Sequence, residues 1–276
     1  MTDRVCLIII DGLRADTARD ECGYLMAAVE ASQARYWTMQ SCLPTISAPL
    51  YETIHTGLTP IDHGILSNEA IRPSSQPNVF SILKSAGRTT GAVAHSYYHT
   101  LYGGSDFDPF DHVEINDPSA PVPFARYYSM EGYSRVNPAL PSEADLCAQT
   151  WHLAKQHTPD YLLLHSSSCD SIGHNYTSDS AEYRHQAWRF DNALSRLIPR
   201  LRDTGYEVFV TADHGMNTDG HHAGDQAYLR TVPFFAFSNR FAADGTAVLD
   251  QKAIAPTILS LLGVEVPETM TAAALV

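Results

Sequence analysis

Short apolar runs recur along this chain, and each run is followed by polar residues or glycine. The first covers residues 5–10, where six apolar residues precede Asp11 and Gly12. Its length and its branched aliphatic content are typical of a buried strand. Similar runs predict five further strands. These cover residues 36–42, 89–95, 161–165, 207–212 and 232–237.

Between the strands, apolar residues recur at the spacing of amphipathic helices. The longest such pattern starts at Ser180 and includes Tyr183, Phe190 and Leu194, and we expect Pro199 to kink or end this helix. Two further helices are predicted over residues 142–156, where Ser142 and Asp145 resemble a capping box at its start, and over residues 252–262. Strands this apolar, alternating with helices, predict one α/β domain over residues 1–276. Its central sheet should be largely parallel and flanked by helices on both faces.

One segment, residues 97–141, breaks this rhythm. It is rich in Tyr, Pro, Asp and Gly and has no clear period. Long irregular segments in compact domains are often functional loops, so we interpret it as a short irregular cap or substrate-loop insertion. A surface excursion without a role is the alternative.

The composition limits the classes of partner. The 276 residues are 44% apolar and carry a formal net charge of −13. This charge disfavours a broad basic surface, so no nucleic acid polymer is expected as a partner. A small anionic substrate remains compatible, because bound metals can reverse the local field. Nothing in the sequence indicates the oligomeric state.

The cysteines and the first apolar run bear on the compartment. Five cysteines without paired spacing favour free thiols in a reducing environment. The run at residues 5–10 is too short for a signal peptide core or a membrane span. We therefore expect a cytoplasmic location and no membrane association.

Residue types that bind divalent metals follow several predicted strands. Six are carboxylates or imidazoles, and Thr45 and Ser47 add hydroxyl groups. The six are Asp11, Asp170, His174, Asp213, His214 and His222. Because the carboxyl ends of parallel strands meet at one edge of a sheet, we expect these side chains to converge there. Such a set matches two tetrahedral divalent ions, which serve in-line displacement at phosphorus.

Each of these residues alone has a structural alternative. Asp11 before Gly12 could be a turn former, and His174 could be a surface histidine. Only the joint order of the ligands favours a metal site. The remaining histidines without a matching role are interpreted as structural. They include His55, His63, His95, His99, His112 and His165.

The motifs also occur in an order that resembles a known superfamily. They are Asp11-Gly12-Leu13-Arg14, Pro44-Thr45-Ile46-Ser47, Thr56-Gly57 with His63-Gly64 and Asn68, Asp170 to His174, Asp213-His214-Gly215 and Gly220-His221-His222. Together they resemble the alkaline phosphatase superfamily, specifically its nucleotide pyrophosphatase/phosphodiesterase branch, almost from end to end. The resemblance implies an alkaline-phosphatase-like fold.

The resemblance implies one metal site that includes the nucleophile. Asp11, Asp213 and His214 match the ligands of this metal. Ser47 stands where the branch usually has its threonine nucleophile, and it would also contact the metal. Asn68 would bind the phosphate, with an Asx-turn as the alternative.

A second metal would be bound by Asp170, His174 and a final histidine. His222 is favoured over His221, although Ala223 replaces the glycine that family members place after this ligand. The implied cofactors are two Zn2+ ions, and other divalent ions such as Mn2+ are alternatives.

These roles imply a metal-dependent hydrolase of small phosphate esters, of the phosphodiesterase/nucleotide pyrophosphatase type, with a phosphoseryl intermediate. Alternatives are a phosphomonoesterase, a phosphonate hydrolase, or a catalytically idle zinc-binding protein. A sulfatase is disfavoured, because Cys42-Leu43-Pro44-Thr45-Ile46 lacks the arginine of the formylglycine-forming pattern. A cofactor-independent phosphoglycerate mutase needs a large inserted domain, for which 276 residues leave no room. Arg14 is the only basic residue beside a metal motif, so a diester is favoured over a dianionic monoester.

Overall fold

The computed structural model describes residues 4–130, 140–241 and 246–276. Within these residues, nine strands form one sheet. The strands are β1 Arg4–Ile10, β2 Arg35–Gln40, β3 Thr90–His95, β4 Glu114–Asn116, β5 Phe124–Tyr128, β6 Tyr161–Ser166, β7 Tyr206–Thr211, β8 Thr231–Phe237 and β9 Val248–Asp250. All six predicted strands are present, with bounds that differ by one or two residues.

The strand order is β4-β5-β3-β6-β1-β7-β8-β2-β9. The five strands from β5 to β7 are mutually parallel, whereas β4 and β8 run antiparallel to their neighbours. Because β8 is antiparallel to both β7 and β2, the carboxyl end of β2 lies at the same edge as that of β7. The predicted sheet is thus confirmed as largely parallel at its centre.

Helices cover the sheet. In the described residues they are α1 Ala15–Glu21, α2 Gly23–Glu30, α3 Ser47–Thr56, α4 Pro60–His63, α5 Val79–Ser85, α6 Ser96–Tyr102, α7 Pro109–His112, α8 Glu143–His157, α9 Ser168–Tyr176, α10 Ala181–Asp203, α11 Ala227–Arg230 and α12 Ile254–Leu261. One group packs around α10 and β7, and another packs around α12 and β1. The side chains of β1 from residue 5 to 10 are all buried, which explains their continuous apolar run.

Some local expectations differ from the structure. α10 continues through Pro199 to Asp203, because its apolar face stays buried as far as Leu201. Ser142 precedes α8 but makes no side-chain cap. Within the predicted cap segment, α7, β4 and β5 are formed, and the two strands extend the sheet. The part of this segment at residues 131–139 lies outside the described residues.

Two further observations concern the thiols and the helices. All five cysteines are free. Across the three described ranges, no helix has both the length and the apolar character needed to cross a membrane.

Candidate active site

Four strand ends bring the candidate residues to one edge of the sheet. Asp11 directly follows β1, and Asp213 lies two residues after the neighbouring β7. Asp170 and His174 lie one helical turn apart on α9, which follows β6. Ser47 is the first residue of α3, after β2. The convergence that parallel strand ends predict is therefore present.

A close backbone approach at Gly12 holds two of these ends together. Gly12 has a φ of +76°, and a Cβ built on it would lie 2.8 Å from Cα of Asp170. Its N–H donates to Oδ1 of Asp213 at 3.2 Å. A side chain at this position would both strain the left-handed backbone and push the Asp11 loop away from α9.

Four buried side chains form the first candidate ligand set. Nε2 of His214 lies 3.4 Å from Oδ1 of Asp11, 3.4 Å from Oδ2 of Asp213 and 3.3 Å from Oγ of Ser47. The ligand atoms of the two aspartates and His214 all lie within 4.8 Å of one another. The structure thus brings together the three residues assigned to one metal and the serine assigned as nucleophile.

The second candidate set borders the first. Oδ1 of Asp170 lies 3.4 Å from Nε2 of His174 and 3.5 Å from Nε2 of His222. The two Nε2 atoms are 3.1 Å apart. The rings of His214 and His222 stack with centroids 4.1 Å apart, so the two sets are adjacent. Two adjacent sets of this kind could hold a pair of neighbouring cations.

Backbone carbonyls orient all three candidate imidazoles. Nδ1 of His174 lies 2.7 Å from the Gly220 carbonyl, and Nδ1 of His222 lies 2.7 Å from the Thr45 carbonyl. Nδ1 of His214 lies 2.9 Å from the carbonyl of the next residue. Donation from each Nδ1 leaves Nε2 with its lone pair toward the carboxylates. Metal-ligating histidines are typically held in this way.

The charge of the site favours bound cations. Burial raises the pKa of Asp170 and of Asp213 well above the usual range, and the nearby Asp11 raises both further. Burial also lowers the pKa of His222 to about 3, so this imidazole is neutral. Among the described residues, Oδ1 of Asp11, Oδ1 of Asp170 and Oδ2 of Asp213 are buried without a hydrogen-bond donor. A neutral imidazole beside carboxylate oxygens that lack a hydrogen-bond donor fits a divalent cation such as Zn2+.

The two hydroxyl candidates differ in their contacts. Ser47 is 6% exposed, and its Oγ faces His214. Thr45 is fully buried, and its Oγ1 donates to the Gly224 carbonyl at 2.9 Å. The Thr45 hydroxyl is therefore hydrogen-bonded to the loop that carries His222, whereas the Ser47 hydroxyl faces the candidate ligands.

Asn68 lies beside the serine. Its Oδ1 accepts the backbone N–H of Ala48 at 2.9 Å, across twenty residues of chain. Asn68 is the first residue of a short 3-10 helix. Its side-chain bond to Ala48 reaches a distant residue and is therefore not an Asx-turn. This bond fixes the amide by its oxygen, and Nδ2, its only donor atom, remains to donate to a substrate oxygen.

The two neighbouring histidines His221 and His222 differ in their surroundings. His222 faces Asp170 and His174, while His221 is exposed. Ala223 adopts a φ of +82°, in the region that favours glycine. The glycine expected after this ligand from the resemblance therefore matches the backbone conformation, even though alanine occupies the position.

Sequence reasoning missed two residues at the first ligand set. Tyr51 donates its hydroxyl proton to Oδ2 of Asp11. Nε2 of His165 lies 3.5 Å from the same oxygen, although we predicted a structural role for this histidine. The sequence contains an indication for each of them. Tyr51 is one helical turn after Ser47, and His165 ends a predicted strand at the same sheet edge.

Arg14 does not face the candidate ligands as a free cation. Its guanidinium pairs with Asp16, donates to Oγ of Ser178 at 2.9 Å and lies 3.5 Å from Asp179. It also lies over the ring of Tyr228, 5.3 Å from the centroid. Two carboxylates thus already compensate the only basic residue beside a metal motif.

A groove of about 480 Å³ lies near the site. Its walls include the aromatic rings of Tyr97 and Phe107, and among the described lining residues Asp106 is the only acidic one. The lining side chains that the structure describes include no lysine or arginine. The groove also contains His95, whose ring centroid is 6.5 Å from that of His165 beside Asp11.

The class of protein is that of the alkaline phosphatase superfamily, which the family match shows and with which the fold and the converging candidate ligands agree. The sequence profile of type I phosphodiesterase / nucleotide pyrophosphatase matches residues 5–232. The chain belongs to this family.

Individual relatives are more distant. The chain is 39% identical over 125 residues to 2,3-bisphosphoglycerate-independent phosphoglycerate mutase from Halobacterium salinarum, covering 42% of this chain and 24% of that protein. It is 27% identical over 232 residues to human ectonucleotide pyrophosphatase/phosphodiesterase family member 1, covering 78% of this chain and 24% of that protein. The chain thus spans about a quarter of the length of these curated relatives.

A solved structure supports the fold. Murine ectonucleotide pyrophosphatase / phosphodiesterase 5, an inactive variant in complex with AMP, superimposes with a TM-score of 0.72. The match covers 96% of both chains at 14% sequence identity. At this identity the likeness shows the alkaline-phosphatase-like architecture alone.

Proposed function

We propose that this chain is a two-zinc phosphoric ester hydrolase that prefers diesters and uses Ser47 as its nucleophile. The observation that carries the proposal is the position of Ser47 Oγ, 3.3 Å from Nε2 of His214 and at the set formed with Asp11 and Asp213. Family membership supports the reaction class. Asp170, His174 and His222 would hold the second ion, and other divalent ions such as Mn2+ are alternatives.

The proposed reaction has two displacements at phosphorus. Oγ of Ser47 attacks the phosphorus and releases its proton to solvent, and the leaving group departs with the electron pair of its P–O bond. Water then cleaves the bond between Oγ and phosphorus, restores the serine and releases a phosphate monoester from a diester substrate. When bound, the two cations would activate the attacking oxygens and compensate the negative charge of the phosphoryl group.

The chain's own groups orient this chemistry. Ser47 lies at the N-terminus of α3, whose dipole favours negative charge on the attacking oxygen and on the phosphoryl group. Nδ2 of Asn68 donates to a non-bridging phosphoryl oxygen, since its Oδ1 is held by Ala48. Removal of one such donor in other enzymes lowers the rate by about 10²–10³-fold.

The preference for a diester follows from the charges around the site. A monoester brings one more negative charge, which needs an additional cationic partner. Arg14 is paired with Asp16 and Asp179, and the adjacent groove is lined by Asp106 without a described basic residue. An uncharged ester group in the groove is therefore favoured over a second anionic group.

The test compares matched aryl substrates on one zinc-loaded preparation. We expect kcat/KM for an aryl phosphodiester to exceed that for the matching monoester by at least about tenfold, or about 1.4 kcal/mol of transition-state discrimination. Arg14→Met, which keeps part of the apolar stem over Tyr228, should leave this ratio unchanged. A monoester preference would indicate a phosphomonoesterase, and a dominant phosphonate rate a phosphonate hydrolase. Two bound zinc ions without turnover would indicate an idle zinc-binding protein.

A further inference from the structure

The two carboxylate oxygens of Asp11 have different surroundings. Oδ2 accepts the hydroxyl proton of Tyr51 and lies 3.5 Å from Nε2 of His165. Oδ1 has no hydrogen-bond donor among the described residues and lies 3.4 Å from Nε2 of His214. All four side chains are buried. One oxygen therefore accepts a hydrogen bond from Tyr51 and lies beside His165, and the other faces the candidate cation position.

The contact that the other ring nitrogen of His165 makes indicates which nitrogen can donate to Asp11. Nδ1 of His165 lies 3.0 Å from the Tyr128 hydroxyl. This hydroxyl accepts the backbone N–H of Ser167 at 3.0 Å. Three acceptors lie within reach of its own proton, namely Nδ1 at 3.0 Å and, each at 3.3 Å, the His165 carbonyl and Oγ of Ser167, and Nδ1 is the nearest. An imidazole that accepts at Nδ1 carries its proton on Nε2, which points at Oδ2 of Asp11.

We propose that Tyr51 and His165 are positioning residues that hold Asp11 with Oδ1 toward the cation shared with Asp213 and His214. This inference rests on the proposed function, because it concerns the same cation site. The Tyr51 hydrogen bond and the adjacent His165 nitrogen, 3.5 Å away, oppose rotation of the carboxylate and favour binding through Oδ1. Partners that orient ligating carboxylates typically change metal affinity by about 10–100-fold when they are removed.

Tyr128 connects this arrangement to the segment beside the groove. It ends β5 and directly precedes Ser129 and Met130, which line the groove. The same tyrosine fixes the orientation of His165 through Nδ1. The positioning of Asp11 thus depends on a residue from the predicted cap segment, in addition to the strand that carries His165.

A pair of substitutions at one position isolates the proposed donor. The amide nitrogen of Gln reaches about as far as Nε2 of histidine, whereas that of Asn reaches only about as far as Nδ1. His165→Gln therefore retains a donor toward Asp11, and His165→Asn loses it. The affinity for zinc should be measured in a His174→Ala background, which removes a ligand of the other set. We expect His165→Asn to weaken zinc binding by about 10–100-fold and His165→Gln to restore most of the loss.

A second pair tests Tyr51 in the same background. Tyr51→Phe removes only the hydroxyl that donates to Asp11, and we expect about tenfold or greater loss of zinc affinity. Tyr98→Phe is the matched control, because Tyr98 is equally buried, stacks on Tyr51 at 4.6 Å and has a hydroxyl without a hydrogen-bond partner in the described residues. It should bind zinc as the background does.

The outcomes separate this inference from the proposed function. Equal zinc affinity for His165→Asn and His165→Gln, or for Tyr51→Phe and Tyr98→Phe, would overturn the positioning roles. Zinc affinity is measured without substrate, so it reports on the carboxylate alone. A zinc-loaded wild-type protein that fails to hydrolyse diesters would overturn the proposed function while the differences in affinity still stand.

Discussion

Replacement of Gly12 by alanine should separate the two candidate ligand sets. The added Cβ would lie 2.8 Å from Cα of Asp170, whereas ordinary contacts begin at 3.4 Å, so backbone must move by about 0.6 Å. Gly12 adjoins Asp11, and Asp170 belongs to the second set. Because a 1 Å misplacement can reduce turnover by about 10²-fold, we expect kcat/KM to fall about tenfold or more.

The same substitution should also destabilise the protein. The left-handed φ of +76° costs an alanine roughly 1–2 kcal/mol, and forced overpacking costs about 1–3 kcal/mol more. Gly87→Ala is the matched control, because Gly87 has a φ of +69° and nothing within 4 Å of its added Cβ. It shares the backbone strain but not the close approach.

The comparison is made by thermal unfolding and by diester hydrolysis. At about 2–4 °C per kcal/mol for a domain of this size class, Gly12→Ala should melt at least about 2 °C below Gly87→Ala. Only Gly12→Ala should lose activity at temperatures where both are folded. Equal melting temperatures and equal kcat/KM for the two variants would refute the claim that this approach sets the spacing of the site.

Three further predictions concern other parts of the site and the core. His222→Ala should lose tight binding of one of two zinc equivalents in equilibrium dialysis, and His221→Ala, at an exposed position, should keep both; the reverse pattern would contradict the orientation of this loop. Ala223→Gly should raise the free energy of unfolding by about 0.5–1 kcal/mol, since it relieves a φ of +82°, and a lower melting temperature would contradict this. Burial raises the pKa of Glu143 to about 7 from its ordinary 4.5, so its contribution to stability is present below pH 4.5 and is lost as pH rises through about 7. Glu143→Gln should remove this loss of stability, as measured by the free energy of denaturant unfolding at pH 5 and at pH 8. A pH dependence of stability equal to that of the wild type would refute the role given to Glu143.

The strands of the sheet centre could be predicted because burial on both faces leaves a continuous apolar run. β1 is the clearest case, with residues 5 to 10 all buried. β4 and β9 each have three residues and lie at sheet edges, so their half-exposed residues carry no such run. The helix α3 was not predicted, because its ten buried residues give it no polar face and thus no amphipathic period.

The order of ligands in the chain could be predicted, whereas several of their contacts could not. The sequence placed Asp11, Asp170 and Asp213 after apolar strands, and the parallel sheet brings these ends together. Hydrogen bonds between distant elements have no local pattern. The contact of Tyr51 with Asp11 and the pairing of Arg14 across the fold with Asp179 are examples. Such contacts appear only once the strand register is known.

The identity of the attacking oxygen is the feature on which the proposed reaction most directly depends. Rapid acid quench of zinc-loaded protein during turnover of an aryl phosphodiester, followed by peptide mass spectrometry, should find the phosphoryl ester on Ser47. Ser47→Ala should retain its fold and both zinc ions but lose the adduct and turnover, while Thr45→Ala should retain the adduct. A phosphoryl group trapped on Thr45, or turnover of Ser47→Ala near the wild-type rate, would contradict the central claim.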